Sequence, residues 1–378
     1  MDKILRIGKN CGALLLATST MALVAFGSVT TARADDVAQA KADIAAATAP
    51  STKWDGPTSG PKAAKDKFVI YVSITMTNSG SAGSDAGAKE AAAAIGWKYQ
   101  TIDGQGTESG NSAALEQAIA LKPDGIILGA LAANEFVPLI QKAAADGIKI
   151  VGWHVSGGPG KVPDSPEIFW NISTDPYTIA KTASEYAVAD SNGKAQAIIM
   201  TDPQYPIVRM KVRGESEALQ NCDGCQILAV ENCPFTEISQ RMPSLMNAMW
   251  HQYGDNIQYM LAHNDLFFDF AIPTLLTAGV DPSGSPRMIS AGDGSEAAYQ
   301  RIRDGKFQVA TVPEPTNLHG WQAIDELNRA FSGQQPSGYI TKVHLVTKDN
   351  IDADGGKDNK YDPDNGYRDQ YKQIWGVK

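Results

Sequence analysis

The sequence predicts an α/β fold of two doubly wound parallel-sheet lobes joined by a three-crossing hinge, with a cleft between them. Three observations carry this. Between residues 68 and 312 short apolar runs alternate with helical patterns, and no hairpin signal intervenes, which is the signature of parallel strands. The series falls into two similar halves that meet around residues 171–175. The 344 residues that follow the N-terminal leader exceed what one hydrophobic core usually serves.

The leader comes first in the chain. Lys3, Arg6 and Lys9 form a positive region, residues 13–26 an apolar one, and Ala32-Arg33-Ala34 an A-x-A cleavage site. This pattern predicts a signal peptide, residues 1–34, cut after Ala34, and therefore an exported, periplasmic protein. Cys11 precedes the apolar run, so it is not placed to act as a lipid anchor. Cleavage moves the formal charge from -9 to -12. That balance argues against nucleic acid as a partner, because affinity for a polyanion comes largely from neutralising phosphates. No later apolar run reaches the roughly 20 residues that span a bilayer, so the protein is not expected to be membrane-embedded.

Residues 35–65 read as an Ala-rich helix around 37–47 followed by a surface linker rich in Thr, Ser, Pro and Gly. Residues 68–74 are a central strand running into the polar loop 75–84, which offers donors ahead of a helix at about 85–95. Strands at 97–102, 125–129 and 148–153 then alternate with helices at 111–121 and 134–145. A Gly- and Pro-rich excursion fills 156–166. Thr174 or Asp175 caps the helix at 177–189. The second lobe follows with strands at 195–200, 226–231, 257–262, 288–291 and 307–312, and helices at 208–220, 238–253, 267–278 and 297–304. After Pro313-Glu314-Pro315 the helix 318–331 is expected to return to the first lobe, and a strand is read at 339–346. The expected division is 66–174 plus 315–342 for the N-terminal lobe, and 175–314 plus 343–378 for the C-terminal lobe and tail.

The turn Cys222-Asp223-Gly224-Cys225 brings two thiols near each other, and a Cys222–Cys225 staple is preferred over a Cys222–Cys233 bridge or free thiols. Redox catalysis is not expected from it, since a reactive pair sits at a helix N-terminus and this one follows a helix end. Asn350, Asp352, Asp354 and Gly355 resemble the start of a calcium loop, but its twelfth position is Tyr361 rather than glutamate, so a solvated acidic loop is the expectation. No metal or cofactor is expected.

In an open parallel sheet ligands sit at the carboxyl ends of the strands. Asp293 lies there between glycines, where its carboxylate suits two neighbouring hydroxyls; the alternative is a cap for the helix at Glu296. Asn264 and Asp265 end the strand beside it, one expected to cap Leu266 and the other to face the cleft. Arg209 and Arg213 share one helix face, and an arginine fork suits vicinal hydroxyls or a carboxylate; the alternative is surface pairing with Glu215 or Glu217. Among the available aromatic rings, Phe235 and Trp153 are preferred as platforms for the apolar face of a sugar. His154 and Asn78 belong to the opposite wall. No G-x-S-x-G, H-E-x-x-H, P-loop or G-x-G-x-x-G motif occurs where it would signal chemistry, so no enzyme and no catalytic residue is expected.

With these residues in place, the chain from about 67 to 348 resembles the periplasmic substrate-binding proteins of ABC importers, of the ribose- and galactose-binding type. The carriers are residues 68–73, Asp124-Gly125-Ile126-Ile127, Ser173-Thr174-Asp175, Arg213-Gly214-Glu215, Ala262-His263-Asn264-Asp265 and Ala291-Gly292-Asp293-Gly294. The resemblance implies that Arg213, Asn264 and Asp293 bind sugar hydroxyls, that Phe235 stacks on the ring, that Thr174 is a hinge contact, and that Glu314 stands where ribose binders carry glutamine. This chain departs from that family in the first lobe. It has His154-Val155 in place of Asp-Arg, Thr77-Asn78-Ser79-Gly80 in place of an Asn-Pro-Phe-Phe-like segment, and no asparagine at Gly129-Ala130. The departures point from ribose to another monosaccharide or a small linear polyol. Expected partners are that solute, the importer's membrane permease and, as a variant, a chemoreceptor or sensor kinase, with the protein itself a monomer. An amino acid-like zwitterion held by His154, Arg213 and Glu314 is the alternative ligand.

Overall fold

The computed structural model describes residues 28–378. The predicted leader falls outside them except for the backbone of 28–34, which begins α1 (Ser28–Ala47). Among the described residues no helix is long and apolar enough to cross a membrane.

The first lobe is a five-stranded parallel sheet of β1 (Phe68–Ser73), β2 (Lys98–Asp103), β3 (Gly125–Gly129), β4 (Lys149–Trp153) and β5 (Ile168–Ile172), in the order β2-β1-β3-β4-β5. The inner strands β1, β3 and β4 are near-continuous apolar runs because both faces are covered, while the edge strand β2 is largely polar. Val69 and Tyr71 of β1 point to one layer with α2 (Ser79–Ala94), while Ile70 and Val72 point to the other with α3 (Glu108–Ala120) and α4 (Val137–Ala145). The edge strand β5 was not anticipated from the Gly- and Pro-rich excursion; its Asn171 amide ties that excursion down through Ser156 and Gly158.

Helix α2 starts at Ser79, not near residue 85, with Asn78 as its N-cap. Gly and Ser are poor helix formers, which is why residues 79–84 read as loop. Close packing overrides propensity here. A Cβ on Gly83 would lie 2.3 Å from Thr316 Oγ1, and one on Gly87 2.2 Å from the Asn317 carbonyl oxygen.

After α5 (Pro176–Asp190) the second lobe is built on β6 (Gln196–Thr201), α6 (Pro206–Gln220), β7 (Gln226–Asn232), α7 (Ile238–Tyr253), β8 (Tyr259–Ala262), α8 (Leu266–Thr277), β9 (Arg287–Ser290), α9 (Glu296–Asp304) and β10 (Gln308–Thr311). Helix α10 (Thr316–Phe331) returns to the first lobe, where Trp321, Ile324 and Leu327 pack in the same layer as Val69 and Tyr71. The second sheet runs β11-β10-β9-β8-β6-β7, and only β11 (Val346–Thr347) is antiparallel. The strand expected at 339–346 is thus reduced to its end. The preceding residues are a crossing segment held by side chains, with Thr341 Oγ1 2.6 Å from Thr174 Oγ1.

Among the described residues two further segments cross the hinge besides the three expected ones. Ala40 and Ala47 of α1 pack on α5 of the second lobe. The chain then passes over, and Trp54 reaches Tyr371 and Tyr339, each at 5.3 Å between ring centroids. The tail crosses the same way. After α11 (Ile351–Asp354), Tyr361 still packs with Tyr299 of the second lobe. Helix α12 (Tyr367–Trp375) lies on the first lobe, with Trp375 stacked on Trp321 at 5.5 Å. The expected assignment of the whole tail to the second lobe is corrected accordingly. Its aromatic stripe Tyr367, Tyr371 and Trp375 finds its apolar partner on α10.

Cys222 and Cys225 form a disulfide across their turn with Cα atoms 5.3 Å apart, and Cys233 is a buried thiol. In the acidic tail Asp352 pairs with Arg303 and Asp354 with His344. Tyr361 is buried and stacks on His344.

Candidate cleft between the lobes

The carboxyl ends of both sheets face a small cavity of about 90 Å³. Its first-lobe wall is Ile74 after β1, Asn78, Ala130 after β3, and Trp153 with His154 after β4. Ala130 and His154 both hold positive φ, 63° and 57°. Non-glycine residues rarely adopt that conformation, and it concentrates where side chains are aimed at a site. The second-lobe wall is Lys211, His263, Asn264 and Asp293, with Tyr205 and Phe235 beside them.

The lobes touch around this space. A Cβ on Gly80 of the first lobe would lie 2.3 Å from the carboxyl carbon of Asp293. Tyr205 packs into the first-lobe core that contains Ile74. The arrangement is the closed one.

Asp293 is buried, and its Oδ2 accepts from Asn264 Nδ2 at 3.0 Å. Burial pushes its carboxyl above the ordinary range, opposed by the charges of Lys211 and His154. Its other oxygen has no hydrogen-bond partner among the described residues. Ser295, not Asp293, caps α9. Asn264 spends its oxygen on the Leu266 N–H and its nitrogen on Asp293, so it orients that carboxylate. Asp265 is turned away, accepting from Gln308, Thr311 and the Gly294 N–H. A pair of facing carboxylates for glycoside hydrolysis is therefore not built here. Asn78 spends its oxygen on the Ser81 N–H and keeps its amide nitrogen for the cavity.

Arg213, expected in the cleft, lies outside it. Its side chain is 62% exposed, pairs with Glu217 at 2.7 Å and sits over the Tyr177 ring. Helical phase explains this. Val208, Lys211, Glu215 and Leu219 form the buried face of α6, and Arg209 and Arg213 the exposed one. The cation at the cleft is Lys211, 4% exposed, whose ammonium donates to the carbonyls of Ala291 at 2.6 Å and His263 at 3.2 Å. Sequence reasoning missed it, although a lysine in register with Val208 and Leu219 is a visible anomaly in an apolar stripe. Burial, with Lys211 adding to it, pushes His263 down to about 3, so its ring is neutral. Arg209 donates to the Pro203 and Gln204 carbonyls and so braces the loop that carries Tyr205.

Thr174 and Glu314 sit behind the cavity in the hinge rather than on its wall. His154 Nε2 lies 3.0 Å from the Glu314 carboxylate, which also accepts from the Thr174 N–H at 2.9 Å. Burial raises the Glu314 carboxyl, but His154, His319 and Lys211 outweigh it and bring it down to about 2. Trp153 Nε1 donates to His319 Nδ1, and His319 Nε2 then donates to Thr341. Ligand atoms of His154, Glu314 and His319 lie within 4.8 Å of one another. Both ring nitrogens of His319 are already engaged, so the trio works as a hinge network. His154 also stacks on Trp153 at 3.8 Å, joining this network to the wall.

Comparison with known proteins agrees with the fold. Residues 69–335 match the family model described as a periplasmic binding protein domain. The galactofuranose-binding protein YtfQ of Escherichia coli is 23% identical over 246 residues, 64% of this chain and 75% of that one. A solute-binding protein of an ABC transporter from Burkholderia graminis, solved with D-arabinose, superposes with a TM-score of 0.67 at 20% identity, covering 77% of this chain and 99% of that one. One from Agrobacterium vitis, solved with α-D-tagatopyranose, gives 0.68 at 17% identity over 78% and 99%. The chain belongs to the periplasmic binding protein family, as a solute-binding protein and not an enzyme.

Proposed function

We propose that this chain is the binding component of an ABC importer in the periplasm, capturing a monosaccharide or small polyol between its lobes and presenting the closed form to the membrane permease. The observation that carries this reading is the Asp293 carboxylate. It is buried, fixed by Asn264, and left with one free oxygen over a cavity that also offers the Asn78 amide, Lys211 and the Phe235 ring. A carboxylate accepting from hydroxyls, with an aromatic face for the carbon skeleton, is the chemistry of polyol recognition. The named ligands of the similar proteins, galactofuranose, D-arabinose and tagatopyranose, are of this class. A zwitterion is less well served, since Arg213 is outside and the Lys211 ammonium is divided between two backbone carbonyls. The same closed form is the surface that a chemoreceptor or sensor kinase would read.

A thermal-shift screen of residues 35–378 against monosaccharides, polyols and amino acids tests the reading. At a thousand-fold excess over Kd a ligand adds about 4 kcal/mol, a rise of several degrees. Asp293→Asn should remove the shift of the best polyol, and Arg213→Ala should leave it intact. A shift confined to amino acids, or one that survives Asp293→Asn, would contradict the proposal.

A further inference from the structure

The polar and apolar groups of the cavity are segregated, and this bears on which polyol it takes. Lys211, His263, Asn264 and Asp293 line the second-lobe floor, and Asn78 and His154 meet them from the first lobe. The remaining wall is apolar. Ile74 and Ala130 belong to the first-lobe core cluster, Tyr205 packs into that same cluster from across the cleft, and Ile207 and Val208 continue the patch along α6.

This patch has almost nothing to offer a hydroxyl. Four of its five side chains carry no polar atom, and the hydroxyl of the fifth, Tyr205, is hydrogen-bonded to the Gln204 side chain. Three nearby backbone groups are spent as well. The Ile74 N–H donates to the Gly129 carbonyl, the Ile74 carbonyl accepts from the Gly106 N–H, and the Ala130 N–H donates to the Trp153 carbonyl. Ile74 and Val208 are 9% and 4% exposed, so water does not readily stand in for a missing partner. A ligand hydroxyl pressed here loses its water bonds and gains none, which weakens binding by a factor of about ten to a hundred. A methyl or methylene in the same place is favoured by roughly fourfold per carbon.

We infer that the solute is amphipathic, a deoxy sugar or deoxy polyol with hydroxyls along one edge for Asp293, Lys211 and Asn78 and a deoxygenated carbon at the end that meets Ile74, Tyr205, Ile207 and Val208. The inference rests on the polyol reading above and narrows it.

Calorimetric titration of residues 35–378 with matched pairs tests it: galactose against 6-deoxygalactose, mannose against 6-deoxymannose, and ribose against 5-deoxyribose. In whichever pair binds, the deoxy member should bind at least about ten-fold tighter. Ile207→Thr, at a half-buried position that tolerates a hydroxyl, should narrow or reverse the preference. Equal or tighter binding of the parent sugar by the unaltered protein overturns the inference and leaves the polyol reading standing. Binding of no sugar or polyol in either form overturns both.

Discussion

Glu215 is the residue whose surroundings are least expected. It is fully buried on α6, one turn beyond Lys211, and neither carboxylate oxygen has a hydrogen-bond partner among the described residues. Burial pushes it from the ordinary 4.5 up to about 8, with the Lys211 charge opposing. A raised folded-state pKa means that the folded chain keeps a proton the unfolded chain has lost. The stability this group contributes is therefore present below about pH 4.5 and is lost as pH rises towards 8. Glutamine cannot ionise. The unfolding free energy of Glu215→Gln relative to the unaltered protein should thus climb between pH 5 and pH 8, on the order of a few kcal/mol, and stay flat below pH 4.5. A difference that does not change with pH contradicts this assignment. Legibility at this scale followed local geometry. Asp293 and Asn264 end strands that the apolar runs announce, so their place at the sheet edge could be read. Lys211 could not be chosen over Arg213 by resemblance, because the two differ by about 200° around the helix and only the phase set by Val208 and Leu219 decides which turns inward.

Among the elements, α2 does the most for the cleft. Its glycines let α10 lie against it on one side and let Asp293 approach its first turn on the other. Gly80→Ala separates these roles. Alanine favours the helix by roughly 0.5 to 1 kcal/mol, so the unliganded protein should unfold at the same temperature or higher. Its Cβ would meet the Asp293 carboxyl at 2.3 Å, so closure is obstructed and affinity for the best polyol should fall at least about ten-fold. Unchanged affinity in that variant would mean that the Gly80–Asp293 contact is not part of the bound state. The strands were legible because a buried parallel sheet needs continuous apolar runs. The start of α2 was not, since its Gly and Ser content reads as loop until the partner helix is known.

At the scale of the whole molecule, five segments among the described residues pass between the lobes. The three expected ones carry Thr174, Glu314 and Thr341, which join His154 and His319 of the first lobe in one network. The extension and the tail add two more on the outside of the hinge. These were not legible. The extension's aromatic partners lie some 300 residues away, as Trp54 and Tyr371 do, and nothing local in a Pro- and Gly-rich linker announces a distant partner. With these added ties beside the hinge, the expected motion is opening and closing about the cavity. The most direct measurement is the separation of spin labels at Glu108 on the first lobe and Glu237 on the second, both exposed, with and without the best polyol. The account predicts a broad distribution that becomes narrower and shorter on saturation. The same distribution in both samples, with ligand demonstrably bound, would contradict capture by closure.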